Sequence, residues 1–250
     1  MSLLRLTNPH SVLAALECRP SQVRRIFLPP RGAGPAWEQV EEIARTEGVP
    51  IEEASGREGG AKSKESGRSG SAAAEVDEQE GKSEAELFDG ADQLDEGRGL
   101  WLALDQIQDP RNLGALFRSA AFFGVRGVIL TRDRSAPLSA VAYDAASGGL
   151  EHVPYAQVTN LSRALEAARR GGVWILGGAQ EAEMDIAQVP RDRPWLLVLG
   201  NEEKGLRRLT REGCDQICCI KALGPVGALN VSVAGAVLMS ALRQADGGTS

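Results

Sequence analysis

No apolar run in this sequence approaches the ~20 residues that a membrane-spanning helix needs, and its opening residues do not resemble a signal peptide. A helical membrane protein is thereby excluded, and a cytoplasmic location is expected. Cysteine and histidine are scarce: Cys18, Cys214, Cys218 and Cys219 form no C-x-x-C pair, and only His10 and His152 accompany them. That is too little for a disulfide scaffold or a zinc centre, so no metal is expected. The cysteines read as small buried thiols in a reducing compartment. No G-x-G-x-x-G follows any strand-like run, so a nucleotide-type cofactor would not be held as in a Rossmann domain.

An excess of positive charge is missing too, since the net charge is −6. Its distribution matters more than its sign. Residues 52–99 carry 14 Asp and Glu against 6 Lys and Arg, so the rest of the chain stands at +2. The acidity does not argue against a nucleic-acid partner.

Three stretches differ in pattern. Residues 1–54 read as a small α/β unit, with helices over 8–16 and 37–46 and strands over 23–28 and 48–51. Within it, Arg24 and Arg25 are candidate phosphate contacts, although exposed basic residues are more often merely solvated. In residues 55–97 the only large apolar residues are Val76, Leu87, Phe88 and Leu94. Such a segment buries too little to offset its ordering entropy, and an acidic disordered linker is expected. From residue 98 to 246 strand-like runs (100–104, 127–131, 153–158, 173–176, 196–199, 216–220) alternate with helical ones (112–123, 138–147, 160–170, 205–213, 230–244). The alternation predicts a parallel sheet with helices on both faces.

Three segments of this last stretch combine residues suited to chemistry. After the strand at 100–104, Asp109-Pro110 opens a helix for which Asn112 is a candidate N-cap, with Leu113, Leu116, Phe117 and Ala120 as its buried stripe. Gly114 lies one turn before Arg118, which leaves the guanidinium room to extend. Gly200-Asn-Glu-Glu-Lys-Gly205 is a strand-to-helix loop bounded by glycines that permit close approach of a ligand. Beyond it Lys204, Arg207, Arg208 and Arg211 would share one face of a helix over 205–213, either as a phosphate-tracking stripe or as a solvated face. The third segment is a Gly/Pro loop leading into Leu229-Asn-Val-Ser-Val-Ala234 and a helix.

Taken in order, N-x-G-x-x-x-R, G-N-E-x-x-G and L-N-V-S-V-A resemble the three motifs of the SpoU/TrmH branch of RNA 2'-O-ribose methyltransferases, within the SPOUT superfamily. The likeness covers about residues 99–244. It is strongest to the bacterial enzymes that methylate guanosine in 23S rRNA, notably at Arg132-Asp-Arg-Ser-Ala136 and Gly205-Leu-Arg-Arg-Leu-Thr-Arg-Glu212. The resemblance implies a SPOUT-type sheet with a C-terminal trefoil knot, beside a small N-terminal RNA-binding-like α/β domain. It implies S-adenosylmethionine held by Leu199, Gly200, Asn201, Gly205, Ile220, Ala228, Leu229 and Asn230, largely through backbone groups. It implies catalysis centred on Arg118, with Glu202 orienting it, Asn112 fixing loop and ribose, and Asn230 and Ser232 at the same site. RNA, with rRNA foremost, is the implied partner, and the implied assembly is a homodimer. The helix over 230–244, with its small residues Ala234, Gly235, Ala236 and Ala241, would lie near the interface. Lys221, Pro225 and Ala228 depart from the family pattern. A tRNA substrate and a non-catalytic RNA-binding relative stay open as alternatives.

Overall fold

The computed structural model describes residues 2–30, 32–54, 71–93 and 99–243. The N-terminal unit comprises β1 (Leu3–Leu6), α1 (Pro9–Cys18), β2 (Val23–Leu28), α2 (Pro35–Thr46), β3 (Ile51–Glu53) and β4 (Ala73–Asp77). Its sheet has the order β1-β4-β2-β3, with β4 antiparallel to both its neighbours. This corrects the expectation of a linker over 55–97, because β4 is a central strand of a folded unit. Ala73, Ala74, Val76 and Asp77 are buried. Their order comes from backbone ladders to β1 and β2, partners distant in the chain, and not from apolar content, which is why composition misses it. Residues 55–70 and 94–97 of that expected linker, and 98 and 244–246 of the expected domain that follows, lie outside the described residues.

The same segment continues as α3 (Glu84–Phe88), which opens with a capping box between Ser83 and Glu86. Leu87 and Phe88 are buried against Trp101, whose indole N–H donates to the Leu87 carbonyl at 2.8 Å. Of the four named apolar residues of the acidic stretch, Val76, Leu87 and Phe88 are buried, and Leu94 lies outside the described residues.

The rest of the chain forms β5 (Leu100–Leu104), α4 (Pro110–Phe122), β6 (Val128–Thr131), α5 (Ala140–Ala146), α6 (Gly149–His152), β7 (Tyr155–Val158), α7 (Leu161–Arg170), β8 (Trp174–Gly178), β9 (Met184–Asp185), β10 (Trp195–Leu199), α8 (Arg208–Glu212), β11 (Gln216–Cys219) and α9 (Val231–Arg243). The seven strands have the order β7-β6-β5-β10-β8-β11-β9, and every neighbouring pair is parallel. The strand period of two sorts β5 cleanly. Leu100, Leu102 and Leu104 join the core beneath α4 and α5, while Trp101 and Ala103 join the opposite core with Leu161, Leu165 and Ala168 of α7. Both faces are covered, as expected for a parallel sheet. Among the described residues no helix is long and apolar enough to cross a membrane.

The N-terminal unit is docked onto this domain through polar contacts around a shared core. The Asp144 carboxylate accepts the backbone N–H groups of Thr7 and Asn8, at 3.0–3.1 Å, and the Thr7 hydroxyl at 2.6 Å. Arg19, at the end of α1, meets Glu151 of α6 through two parallel contacts of 2.6 and 2.7 Å. Tyr155 donates to the carbonyl of Gln79 and Tyr143 accepts that residue's N–H. Burial pushes the Tyr143 phenol up to about 12 and raises that of Tyr155 as well, so both stay protonated at neutral pH.

Gly114 shows how tightly α4 is set. A Cβ there would lie 2.3 Å from the Ala142 carbonyl oxygen and 2.6 Å from the Ala145 Cβ. Its place in the first motif thus follows from close approach of α4 to α5, not from clearing a path for Arg118. Gly114→Ala is expected to cost about 1–3 kcal/mol of stability, since a backbone oxygen cannot move aside as a side-chain tip can. Denaturant unfolding monitored by circular dichroism measures it.

Candidate active site

β5, β6 and β7 run to one side of the sheet, and β10, β8 and β11 to the other, so the strand order reverses between β5 and β10. In open parallel sheets ligands bind beyond the carboxyl ends of strands at such a point. A cavity of about 710 Å³ lies on the β10 side of that point, over the ends of β8, β10 and β11, and is closed on one side by α9. That volume falls within the ~300–1,000 Å³ common for small-molecule sites.

Leu199, Gly200, Asn201, Gly205, Ile220, Ala228 and Leu229 all line the cavity, as does Glu202. Asn230 is the one expected cofactor residue that does not. The loop geometry explains the glycines. A Cβ at Gly200 would stand 2.2 Å from the Gly205 backbone carbon, and Gly205 has φ +64°. Asn201 and Gly205 exchange backbone hydrogen bonds of 3.1 and 2.9 Å. Gly200 therefore serves closure of the loop on itself. The Asn201 side chain is also spent internally, accepting from the N–H groups of Glu203 and Lys204 and donating to the Gln106 carbonyl. It contributes a wall and a fixed loop to the cavity.

The three motifs meet through side chains. Asn112 donates to Glu202 at 3.2 Å and accepts from Asn230 at 3.1 Å. Asn230 in turn accepts from the Ser232 hydroxyl at 2.6 Å and from its backbone N–H at 2.9 Å. Two expectations change here. The N-cap of α4 is Asp109, with Pro110 in the first turn, so Asn112 sits inside the helix with its amide free for this network. Glu202 is joined to Asn112 and not to Arg118. Arg118 is exposed, and its guanidinium donates to Ser147 Oγ at 3.4 Å.

The expected basic stripe is also revised. The turn at 201–205 delays the helix, so α8 begins only at Arg208 and Arg207 precedes it. Arg207 reaches inward: its Nε donates to the fully buried Asp105 at 3.0 Å, and Nη2 lies 2.7 Å from the other carboxylate oxygen. Thr210 completes the brace with a 2.7 Å bond to the same carboxylate. Arg208 pairs with Glu212, and Arg211 with Glu181. In the N-terminal unit Arg24 pairs with Asp77, and Arg25 with Glu75 and Glu52. Five of the six expected RNA contacts thus already hold a carboxylate; Lys204 is exposed beside the cavity.

Motif reading misses several cavity residues: Gly178, Gln180, Cys218, Cys219, Ala234 and Leu238. The first four lie at or just past the ends of β8 and β11, and only the strand order brings them to the site. Gln180 also donates to the Gly227 carbonyl at 2.9 Å, tying the exposed 221–230 loop to the cavity rim. Burial pushes the Cys214 and Cys218 thiols up to about 12, leaving them protonated and poorly nucleophilic at neutral pH. Cys18 is exposed, contrary to the expectation of uniformly buried thiols.

A small N-terminal α/β unit beside a parallel sheet, with a cavity over the ends of β8, β10 and β11 walled by the second and third motifs, is the architecture typical of SPOUT proteins. A profile of the SpoU rRNA Methylase family matches residues 99–240, and the chain belongs to that family. It is 49% identical over 144 residues to the 23S rRNA (guanosine-2'-O-)-methyltransferase RlmB of Yersinia pestis, covering 57% of this chain and 58% of that protein. It is 37% identical over 240 residues to the protein of the same name from Xanthomonas campestris pv. campestris, covering 96% of both. With the first of these relatives the match thus spans less than two thirds of their length. The fold is also that of the SpoU methyltransferase AviRb from Streptomyces viridochromogenes in complex with AdoMet, with a TM-score of 0.75 and 20% identity over 96% of this chain and 89% of that one.

Proposed function

We propose that this protein transfers a methyl group from S-adenosylmethionine to a ribose 2'-hydroxyl of RNA, at a guanosine of 23S rRNA. The single observation that carries the reading is the Glu202–Asn112–Asn230–Ser232 network, which draws all three motifs together at the edge of the cavity. Relatives named for this reaction, one of them aligned along 96% of the chain, supply the substrate class.

The cavity fits the cofactor's chemistry. Leu199, Ile220, Leu229 and Leu238 offer an apolar wall for an adenine, while Glu202 provides negative charge for a cationic sulfonium and amine. Strand-end backbone groups supply hydrogen bonds. When bound, S-adenosylmethionine provides an electrophilic methyl group. The protein's remaining task is to align the hydroxyl and stabilise the charge that develops on it, and alignment alone contributes ~7–11 kcal/mol when geometry is good. Arg118 acts as an electrostatic stabiliser of the developing alkoxide and a guide for phosphate, while the hydroxyl proton leaves to solvent water as the methyl group is transferred. Asn112, fixed from both sides, positions the ribose. RNA is selected over DNA because the reacting group is the 2'-hydroxyl.

We place the protein in the cytoplasm as a homodimer with a knotted C-terminal segment. Val233 and Val237 of α9 and the 83% exposed Phe122 of α4 give these two packed helices an apolar outer surface suited to pairing. The small residues of α9 serve other contacts. Gly235 packs on Leu116 and Leu199, and Ala234 lines the cavity. The deciding experiment incubates the protein with labelled S-adenosylmethionine and in vitro transcribed 23S rRNA, and maps ribose methylation by resistance to alkaline cleavage. One modified guanosine is expected; label in tRNA alone, or none in any RNA, refutes the reading.

A further inference from the structure

Ser147 stands between the N-terminal unit and Arg118. It ends α5 with φ 46° and ψ 47°, a left-handed conformation that a non-glycine residue adopts at a cost. Gly148 follows at φ +92°, and a Cβ on it would lie 2.8 Å from the Ala14 Cβ, so α1 is seated directly on this turn. The Ser147 hydroxyl accepts two donors. One is Arg118 Nη1 at 3.4 Å, the other is Asn8 Nδ2 at 3.0 Å. Asn8 is itself immobilised: it caps α1 through His10, and its amide also donates to the Asp144 carbonyl at 2.8 Å. Arg118 forms no ion pair among the described residues.

We propose that Ser147 is a positioning residue for Arg118, and that Asn8 links the docking of the N-terminal unit to the readiness of that guanidinium. The inference rests on the reading of Arg118 as the group that stabilises the acceptor oxygen. An exposed arginine side chain samples many rotamers, and ordering it opposes the reaction. A neutral hydroxyl biases the guanidinium toward the site without competing for its charge, as a carboxylate would. The long 3.4 Å contact suits a hold that yields when substrate arrives. A serine at a left-handed position, where glycine or asparagine is favoured, places an acceptor within reach of both donors.

The test uses the full-length protein, S-adenosylmethionine and in vitro transcribed 23S rRNA. Ser147→Gly removes the hydroxyl and relieves the left-handed strain. Its melting temperature should hold or rise, its cofactor affinity and KM for RNA should hold, and its single-turnover rate should fall on the order of 10-fold. A merely structural serine predicts no such loss of kcat from a variant at least as stable. Ser147→Asn tolerates the same backbone and restores an acceptor, so it should recover much of the rate. Asn8→Ser keeps the helix cap but loses the reach to Ser147, and should show part of the defect. Adding Ser147→Gly to Arg118→Ala should bring no further loss. A wild-type rate in Ser147→Gly alongside an inactive Arg118→Ala overturns the positioning role. An unchanged rate in Asn8→Ser overturns the link to the N-terminal unit. If Arg118→Ala itself retains full activity, the reading of Arg118 fails first, and the proposal with it.

Discussion

Arg118→Ala is expected to lower single-turnover methyl transfer about 10²–10³-fold, the loss usual when one preorganised donor to a developing oxyanion is removed. Stability should change by less than about 0.5 kcal/mol, because the side chain is exposed and its one hydrogen bond is long. Cofactor affinity should hold, since Arg118 does not line the cavity. Arg118→Lys should recover little, as a point charge does not reproduce the guanidinium fork. Rapid-quench measurement under saturating protein, with calorimetry for the cofactor, separates these quantities. A variant retaining a tenth or more of the rate contradicts the assignment.

Glu151→Ala should be strongly destabilising. The Glu151 side chain is 1% exposed and that of Arg19 only 9%. Deleting the carboxylate strands a guanidinium away from water, which costs about 3–5 kcal/mol. For a chain of this length that is a fall in melting temperature on the order of 10 °C. The pair itself need not favour the fold by that amount. Replacing both partners, as in Arg19→Met with Glu151→Leu, should restore most of the loss, because no unpaired charge remains. Differential scanning calorimetry of the single and double variants decides it. A double variant as unstable as Glu151→Ala would mean that the Arg19 bonds to the Asp77 carbonyl and Gln22 matter more than the pair.

Much of the C-terminal domain was legible in the sequence because its strands are unbroken apolar runs and its helices carry clear stripes. The limits of that legibility follow from partners distant in the chain. β4 reads as linker since four of its five residues are Ala or acidic, and its order depends on β1 and β2. Arg207 reads as surface charge because its partner, Asp105, lies about a hundred positions earlier at the end of β5. Ser147 carries no motif, and only the docking of α1 gives its hydroxyl a second donor. Seven of the eight expected cofactor residues line the cavity, but several contacts were not legible: Gly114 and Gly200 serve packing and closure, and Glu202 holds Asn112.

The position of β10 also bears on how the molecule is made. Leu100 of β5 pairs with Trp195 of β10, whereas its other neighbour, β6, follows at Val128. As the chain leaves the ribosome, β5, β6 and β7 can assemble while one side of β5 stays bare. That exposed edge, apolar and unprotected, persists until β10 has been synthesised. The cavity comes later still, because α9 closes it from the far end of the described chain. A nascent or truncated chain ending before residue 195 therefore lacks the cavity walls contributed by residues 199–205 and 218–238, and its bare β5 edge offers a template for aggregation that β10 covers in the finished protein.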